Sequence, residues 1–190
     1  LSELQKETLS HAIGVSDSDF IKIRFNRIPP KVMKNEIENV VITSQNGVEA
    51  LLNSFTKDEM NFKNIFCVGR RTKKLIENRI GKVAHVAKNA LKLGEYLSTE
   101  LTKKEVTYFC SDLRLDTLPS YLKENGVVVN EVEAYKTMFS PVKINNQVSG
   151  VLFFSPSGID SYLQKNSTNK VALCIGETTA VQARKHFKNV

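Results

Sequence analysis

Short apolar runs alternate with amphipathic stretches along most of the chain. The run 39–43 is typical of a buried strand, and 47–55 continues with apolar residues at helical spacing. Further strands are predicted at 65–68, 82–86, 106–110, 127–135, 151–154 and 171–175, and further helices at 72–78, 91–101 and 117–124. Such alternation predicts an α/β fold whose parallel sheets are covered by helices on both faces.

Two extended stretches, 20–28 and 130–137, flank the middle of the chain, and a helical pattern over 1–14 precedes them. We predict that the chain crosses to a second lobe in the first stretch and returns in the second, so that the two stretches form a hinge. The predicted outer lobe is therefore discontinuous (1–22 and 138–190), the inserted lobe covers 31–131, and the hinge consists of 23–30 and 132–137.

Two motifs each occur twice, in the same order. VITSQNGVE at 41–49 parallels LFFSPSGID at 152–160, and FCVG at 66–69 parallels LCIG at 173–176. The first pair is offset by 111 residues (Ser44 to Ser155) and the second by 107 (Gly69 to Gly176). Because the order is the same and the offsets are nearly the same, we interpret the repeats as two lobes of similar build that arose by duplication.

Composition and charge narrow the classes of protein. The net charge is +7, but the Lys and Arg residues are scattered and are not interleaved with aromatic residues. This pattern favours an anionic small molecule or a solvated surface over nucleic acid. No apolar run reaches the roughly 20 residues of a membrane span. The chain begins with Leu1, and we expect that both of its ends are trimmed.

The cysteines and histidines predict neither a disulfide nor a metal site. Cys67, Cys110 and Cys174 each lie in an apolar strand-like run without CxxC spacing, and the three His residues are far apart. Reduced, buried thiols are typical of a cytoplasmic protein, which is the predicted location. We expect no cofactor, no metal, no membrane and no nucleic acid, and a monomeric chain.

The turns that follow the strands are the candidate binding elements. A strand that ends in Ser-x-x-Gly and turns into a helix presents free backbone N–H groups and the positive end of the helix dipole, which together favour an anion. The alternative is that these residues are ordinary helix caps, each worth about 1 kcal/mol. The candidate ligand-binding residues are Ser44, Gln45, Asn46, Ser111, Asp112, Ser155, Ser157, Gly158, Thr178 and Thr179.

No catalytic motif is present in the sequence. It contains neither a phosphate-binding glycine loop nor an HExxH motif, and neither a Ser–His–Asp order nor a carboxylate pair with a clear task. This pattern favours a reaction that depends on holding a reactive substrate in one shape, with a single proton donor. Tyr135, at the end of the second extended stretch, is the best candidate donor. A tyrosine that only packs at the hinge is the alternative.

Four motifs together resemble the uroporphyrinogen-III synthase family. They are VITSQNGV at 41–48, EAYKT at 133–137, FSPSG at 154–158 and IGETTA at 175–180. The resemblance implies two similar flavodoxin-like α/β lobes with parallel sheets, joined by a two-stranded linker, with the active site between them. It also implies a lyase (hydro-lyase) of haem and other tetrapyrrole biosynthesis.

The resemblance further implies a substrate and a role for Tyr135. The family cyclises hydroxymethylbilane with loss of water and inversion of ring D, which gives uroporphyrinogen III, and needs no cofactor or metal. Its linker tyrosine matches Tyr135, which we expect to assist departure of the hydroxyl group. A non-catalytic two-lobed binding protein for an anionic metabolite is the alternative function.

Overall fold

The structure, a computed structural model, describes residue 7 and residues 14–144 and 147–190. The helical pattern predicted over 1–14 lies almost wholly outside the described residues. The chain divides into two compact units: one comprises the chain up to Lys22 together with Met138–Val190, and the other is Ile23–Thr137. The lobe and hinge boundaries given above stay a prediction.

The unit Ile23–Thr137 is built around a six-stranded sheet. Its strands are β1 (Ile21–Phe25), β2 (Ile37–Ile42), β3 (Phe62–Val68), β4 (His85–Ala87), β5 (Glu105–Ser111) and β6 (Val128–Phe139). Its helices are α1 (Gln45–Ser54), α2 (Arg70–Arg79), α3 (Ala90–Glu100) and α4 (Thr117–Glu124), with short 3-10 helices at Pro30–Met33 and Lys57–Glu59. Strands β1 and β6 both continue past the boundary of this unit.

The strand order corrects one expectation. The order is β1-β6-β5-β2-β3-β4, so the chain adds β3 and β4 on one side of β2 and then returns to add β5 and β6 on the other side. The five strands from β2 onward therefore have the order 3-2-1-4-5, whereas a flavodoxin-like sheet has the order 2-1-3-4-5. The α/β class is confirmed, and the flavodoxin-like order is wrong for this unit.

The sheet is mixed, which corrects the expectation of purely parallel sheets. Strands β2 to β6 pair in parallel. The Asn26 N–H donates to the Ala134 carbonyl at 2.9 Å, and the Ser140 N–H donates to the Phe20 carbonyl at 2.8 Å. Because the residue numbers rise along one strand as they fall along the other, β1 runs antiparallel to β6.

Both faces of this sheet are covered, as is usual for parallel strands. Val40, Ile42 and Phe109 belong to the core that α1 and α2 cover. Val41 and Cys110 belong to the core under α3 and α4. The run Val40 to Ile42 is completely buried, which explains why the sequence shows a continuous apolar stretch here instead of an alternating one.

The second unit, as far as it is described, holds a small parallel sheet. Its strands are β7 (Gly150–Phe153) and β8 (Val171–Cys174), and its helices are α5 (Pro156–Leu163) and α6 (Glu177–Arg184). Phe153, Tyr162 and Phe187 pack together beneath the sheet, with the Phe153 and Tyr162 ring centroids 5.3 Å apart. On the opposite side of the sheet Leu152 and Leu173 are exposed.

Gly94 of α3 lies against Tyr121 of α4, so replacing this glycine tests how closely the two helices pack in the first unit. A Cβ added at Gly94 would lie 2.8 Å from Cδ1 and 3.3 Å from Cγ of Tyr121. Overpacking costs about 1–3 kcal/mol, whereas replacing glycine within a helix gains about 1 kcal/mol. We therefore expect Gly94→Ala to lower the free energy of unfolding by about 1 kcal/mol net, measured by urea denaturation.

Gly81→Ala is the matched control. A Cβ at Gly81 would meet nothing within 4 Å, and its backbone does not have a positive φ. We expect this variant to be as stable as the parent chain or more stable by about 0.4–1 kcal/mol. If Gly94→Ala were also stabilising, the close contact with Tyr121 would be wrong.

Candidate functional site

The candidate site lies where the direction of strand addition changes, between β2 and β5. Open α/β sheets bind ligands beyond the carboxyl ends of their strands at such a switch point. Ser44 follows the end of β2 in extended conformation, and Ser111 is the last residue of β5. Tyr135 of β6 pairs with Ser111. The parallel sheet therefore brings these three residues to the same edge.

Ser44 and Tyr135 are joined by a hydrogen bond. The Ser44 Oγ and the Tyr135 phenol oxygen are 2.7 Å apart, and either hydroxyl can be the donor. Ser44 is also the N-cap of α1, because its Oγ accepts the Gly47 N–H at 3.2 Å. When Ser44 donates its own proton to the phenol oxygen, the Tyr135 proton is left for a different acceptor.

The surroundings of Tyr135 keep its phenol protonated. Its side chain is only 7% exposed, and this burial raises its pKa above the ordinary value, against the hydrogen bond from Ser44 that lowers it. The Asp112 charge raises the pKa further. At neutral pH Tyr135 is therefore a neutral hydrogen-bond donor, which is the form that a general acid requires.

Asp112 organises the turn that follows β5. Its Oδ1 accepts hydrogen bonds from the Leu113 N–H at 2.9 Å, the Thr137 N–H at 3.0 Å and the Ser111 hydroxyl at 2.9 Å. Burial by itself would raise the pKa of this carboxyl, but these three bonds outweigh it, and the pKa is lowered. The Asp112 carboxylate is thus charged at neutral pH and bonded within the protein.

The other predicted residues of this unit lie in the first turn of α1. Gln45 is exposed and Asn46 is half-buried. Their backbone N–H groups belong to the unpaired first turn of a helix, whose partial positive charge suits a carboxylate.

The predicted residues of the second unit lie at the starts of two helices. Ser155 caps α5 by accepting the Gly158 N–H at 3.1 Å, and its Oγ lies 3.1 Å from that of Ser157. Thr178 and Thr179 lie in the first turn of α6, where Thr178 is exposed and Thr179 is buried. Ser44 and Ser155 are therefore both helix caps, which was the alternative interpretation of these turns. Each also lies at a helix start, where the partial positive charge of the helix can bind an anion.

Sequence reasoning missed three hydroxyl groups next to the predicted residues. The Thr43 Oγ1 lies 3.0 Å from the Tyr108 phenol oxygen, and the Thr137 Oγ1 lies 3.2 Å from the Ser111 Oγ. Burial raises the pKa of Tyr108 to about 12. Thr43 and Thr137 belong to the VITSQNGV and EAYKT motifs, which could have pointed to them. Tyr108 lies within an apolar strand and carries no such signal.

Several kinds of site are absent from the described residues. No group of three or more His, Cys, Asp or Glu side chains in them is arranged to hold a metal ion. No helix among residues 14–144 and 147–190 has the length and apolar character needed to cross a membrane. Burial raises the pKa of the Cys67 and Cys110 thiols to about 11, so neither is a ready nucleophile at neutral pH.

Comparison with known proteins decides the family. The model of one protein family, described as Uroporphyrinogen-III synthase HemD, matches residues 10–189. The chain belongs to this family. The match spans both units and includes all of the residues proposed above for binding and proton donation.

Solved structures of the uroporphyrinogen-III synthase family share the fold. The uroporphyrinogen-III synthetase from Helicobacter pylori has a TM-score of 0.65 at 19% identity, over 87% of this chain and 80% of that chain. A mutant uroporphyrinogen III synthase from the extremely thermophilic bacterium Thermus thermophilus has a TM-score of 0.63 at 14% identity, over 87% of this chain and 77% of that one. At such low identity these likenesses concern the fold alone.

The hydrogen bonds of Asp112 predict a pH-dependent stability. Because its pKa is lower in the folded chain than in the unfolded chain, its contribution is present above the unfolded value of about 3.9 and is lost as the pH falls through the folded value. We expect Asp112→Asn to lower the free energy of unfolding by about 0.5–1 kcal/mol at pH 7, a small figure because the side chain is exposed. Urea denaturation at pH 3 should give a smaller difference.

Asp116→Asn is the control for this experiment. It removes the same charge from the same turn, where Asp116 is 76% exposed and pairs with Arg114. We expect a change below about 0.5 kcal/mol at both pH values. An Asp112→Asn loss that is equal at pH 7 and pH 3 would contradict the stabilising role of the charged form.

Proposed function

We propose that the chain is a uroporphyrinogen-III synthase, a hydro-lyase that converts hydroxymethylbilane into uroporphyrinogen III with loss of water and inversion of ring D. The observation that carries this proposal is the buried Tyr135 phenol held 2.7 Å from Ser44 at the switch point, in a chain of this family. The proposed reaction needs no cofactor and no metal.

The substrate class is consistent with the helix starts. Hydroxymethylbilane carries acetate and propionate arms, so it is a polycarboxylate. The first turns of α1 and α6 offer backbone N–H groups, and the chain has a net charge of +7. Helix α5 begins with Pro156 and donates the Gly158 N–H to Ser155, so its first turn offers the N–H of Ser157. We propose that these turns, with the hydroxyls of Ser155, Ser157 and Thr178, bind the carboxylates. The Ser111 hydroxyl donates to Asp112, and in this mechanism the Ser44 hydroxyl donates to Tyr135, so both protons are already used within the protein.

Tyr135 has a defined task in the proposed mechanism. The C–O bond of the hydroxymethyl group breaks with its electron pair going to oxygen, and the phenol supplies the hydrogen bond and the proton with which that oxygen leaves as water. The resulting azafulvene cation is attacked by the substituted carbon of ring D, which gives a spiro intermediate. That intermediate fragments and recloses with the ring inverted, and the pyrrole proton released on closure restores the phenol.

Apart from this proton transfer, the proposed mechanism requires the protein mainly to hold the substrate in one conformation. The unassisted substrate closes without inversion, so the main contribution of the site is to hold the chain in the shape that favours attack at the substituted carbon. Backbone N–H groups on rigid helix starts suit this task because they do not reorganise during the reaction.

The direct test is to incubate the chain with freshly prepared hydroxymethylbilane, oxidise the product and separate the porphyrin isomers by chromatography. We expect isomer III. Predominantly isomer I, at the rate of the protein-free control, would overturn the proposal. Binding of the substrate without turnover would instead identify the non-catalytic binding protein that is the alternative.

Tyr135→Phe tests the proton donor. The phenylalanine keeps the ring and its burial but removes the hydroxyl, so we expect kcat to fall about 100-fold with KM changed less than about threefold. Tyr121→Phe, on α4 and outside the candidate site, is the matched control and should keep the parent rate. If Tyr135→Phe retained the full rate and the full yield of isomer III, its role as donor would be wrong.

A further inference from the structure

A β-bulge in β6 lies directly before Tyr135. Along β5 and β6, Cys110 pairs with Glu133, but the next residue of β5, Ser111, pairs with Tyr135. Ala134 is therefore an extra residue on β6. Because side chains alternate between the two faces of a strand, one inserted residue moves every later side chain to the other face.

The bulge decides which face of the sheet Tyr135 occupies. Ala134 and Tyr135, although consecutive, belong to the same core as Phe109, on the side covered by α1. Cys110, which pairs with Glu133, belongs to the opposite core. Without the bulge Tyr135 would share the face of Cys110, away from Ser44 at the start of α1. Only the bulged register allows the 2.7 Å contact with Ser44.

Asp112 holds β6 in this register. The regular ladder ends here, because the Ser111 carbonyl accepts the Arg114 N–H at 3.2 Å within the turn. The Thr137 N–H instead donates to the Asp112 carboxylate at 3.0 Å, and the Asp112 N–H donates to the Tyr135 carbonyl at 3.3 Å. Backbone and side chain of Asp112 together thus bind the segment of β6 that carries the Tyr135 side chain.

We infer that Asp112 is a positioning residue, whose carboxylate holds the bulged end of β6 through the Thr137 N–H and so keeps the Tyr135 phenol at Ser44. The catalytic consequence of this inference rests on the proposed function. Asp112 is named above as a candidate ligand-binding residue, and this inference replaces that role. A carboxylate that accepts three internal hydrogen bonds positions the tyrosine and does not bind a polycarboxylate substrate.

A double-mutant cycle tests whether Asp112 acts through Tyr135. Asp112→Ala and Asp112→Asn are made in the parent chain and in Tyr135→Phe. In the parent we expect kcat to fall about 10- to 100-fold for Asp112→Ala, less for Asp112→Asn, with KM changed less than about threefold. In the Tyr135→Phe chain the same replacements should cost less than about twofold. Equal losses in both backgrounds would overturn the inference.

A second readout needs no turnover. Ionisation of Tyr135 is followed by tyrosinate absorbance, as the difference between chains with Tyr135 and chains with Tyr135→Phe. Both Asp112 replacements remove a charge that raises the pKa of Tyr135. Only Asp112→Ala also releases the strand, so it should move the ionisation to lower pH by more than Asp112→Asn does. Equal shifts, or none, would overturn the inference.

The two readouts separate this inference from the proposed function. If the chain does not form isomer III but the ionisation of Tyr135 shifts as expected, the function fails and the positioning role stands. If isomer III forms but the ionisation does not shift, the positioning role fails and the function stands. Asp116→Asn, in the same turn, is the control and should change neither kcat nor the ionisation of Tyr135. Thermal unfolding followed by circular dichroism establishes that each variant is folded.

Discussion

The hydrogen bond between Ser44 and Tyr135 joins residues 91 positions apart in sequence, and several independent features must agree for it to form. Strands β2 and β5 have to be neighbours in a parallel sheet, so that their carboxyl ends meet at one edge. Ser44 has to cap helix α1, and β6 has to carry its bulge. The bond therefore depends on the strand order of the whole unit, on the turn that begins α1 and on the bulge in β6.

Much of this arrangement is encoded locally. The apolar run that forms β2 and the Asn-Gly stop of α4 are visible in the sequence, and Gly126 has the positive φ of 73° that such a stop requires. The apolar pattern predicts β4 at 82–86, but the strand covers His85–Ala87, the residues in register with Phe66–Val68 of β3. The strand order and the bulge at Ala134 were beyond prediction, since both depend on which distant strand lies alongside.

The helix caps show why binding and structural interpretations of the turns did not exclude each other. Ser44 and Ser155 accept N–H bonds at 3.2 Å and 3.1 Å, which a cap requires, and each lies beside a first-turn backbone N–H that the cap does not use. The sequence alone could identify these residues because, in both Ser-x-x-Gly motifs, the serine Oγ accepts the N–H of the glycine three residues later. It could not identify Tyr108 or the internal role of Asp112, which arise only from contacts between strands.

The two outermost strands of the six-stranded sheet have a consequence for how the protein behaves at high concentration. Open strand edges present unpaired N–H and C=O groups that can recruit strands from other chains. At one edge β4 is only three residues long, and at the other β1 carries Lys22 and Arg24 at alternate positions. Both features disfavour the addition of strands from other molecules, and so lower the tendency of this sheet to template aggregation at high concentration.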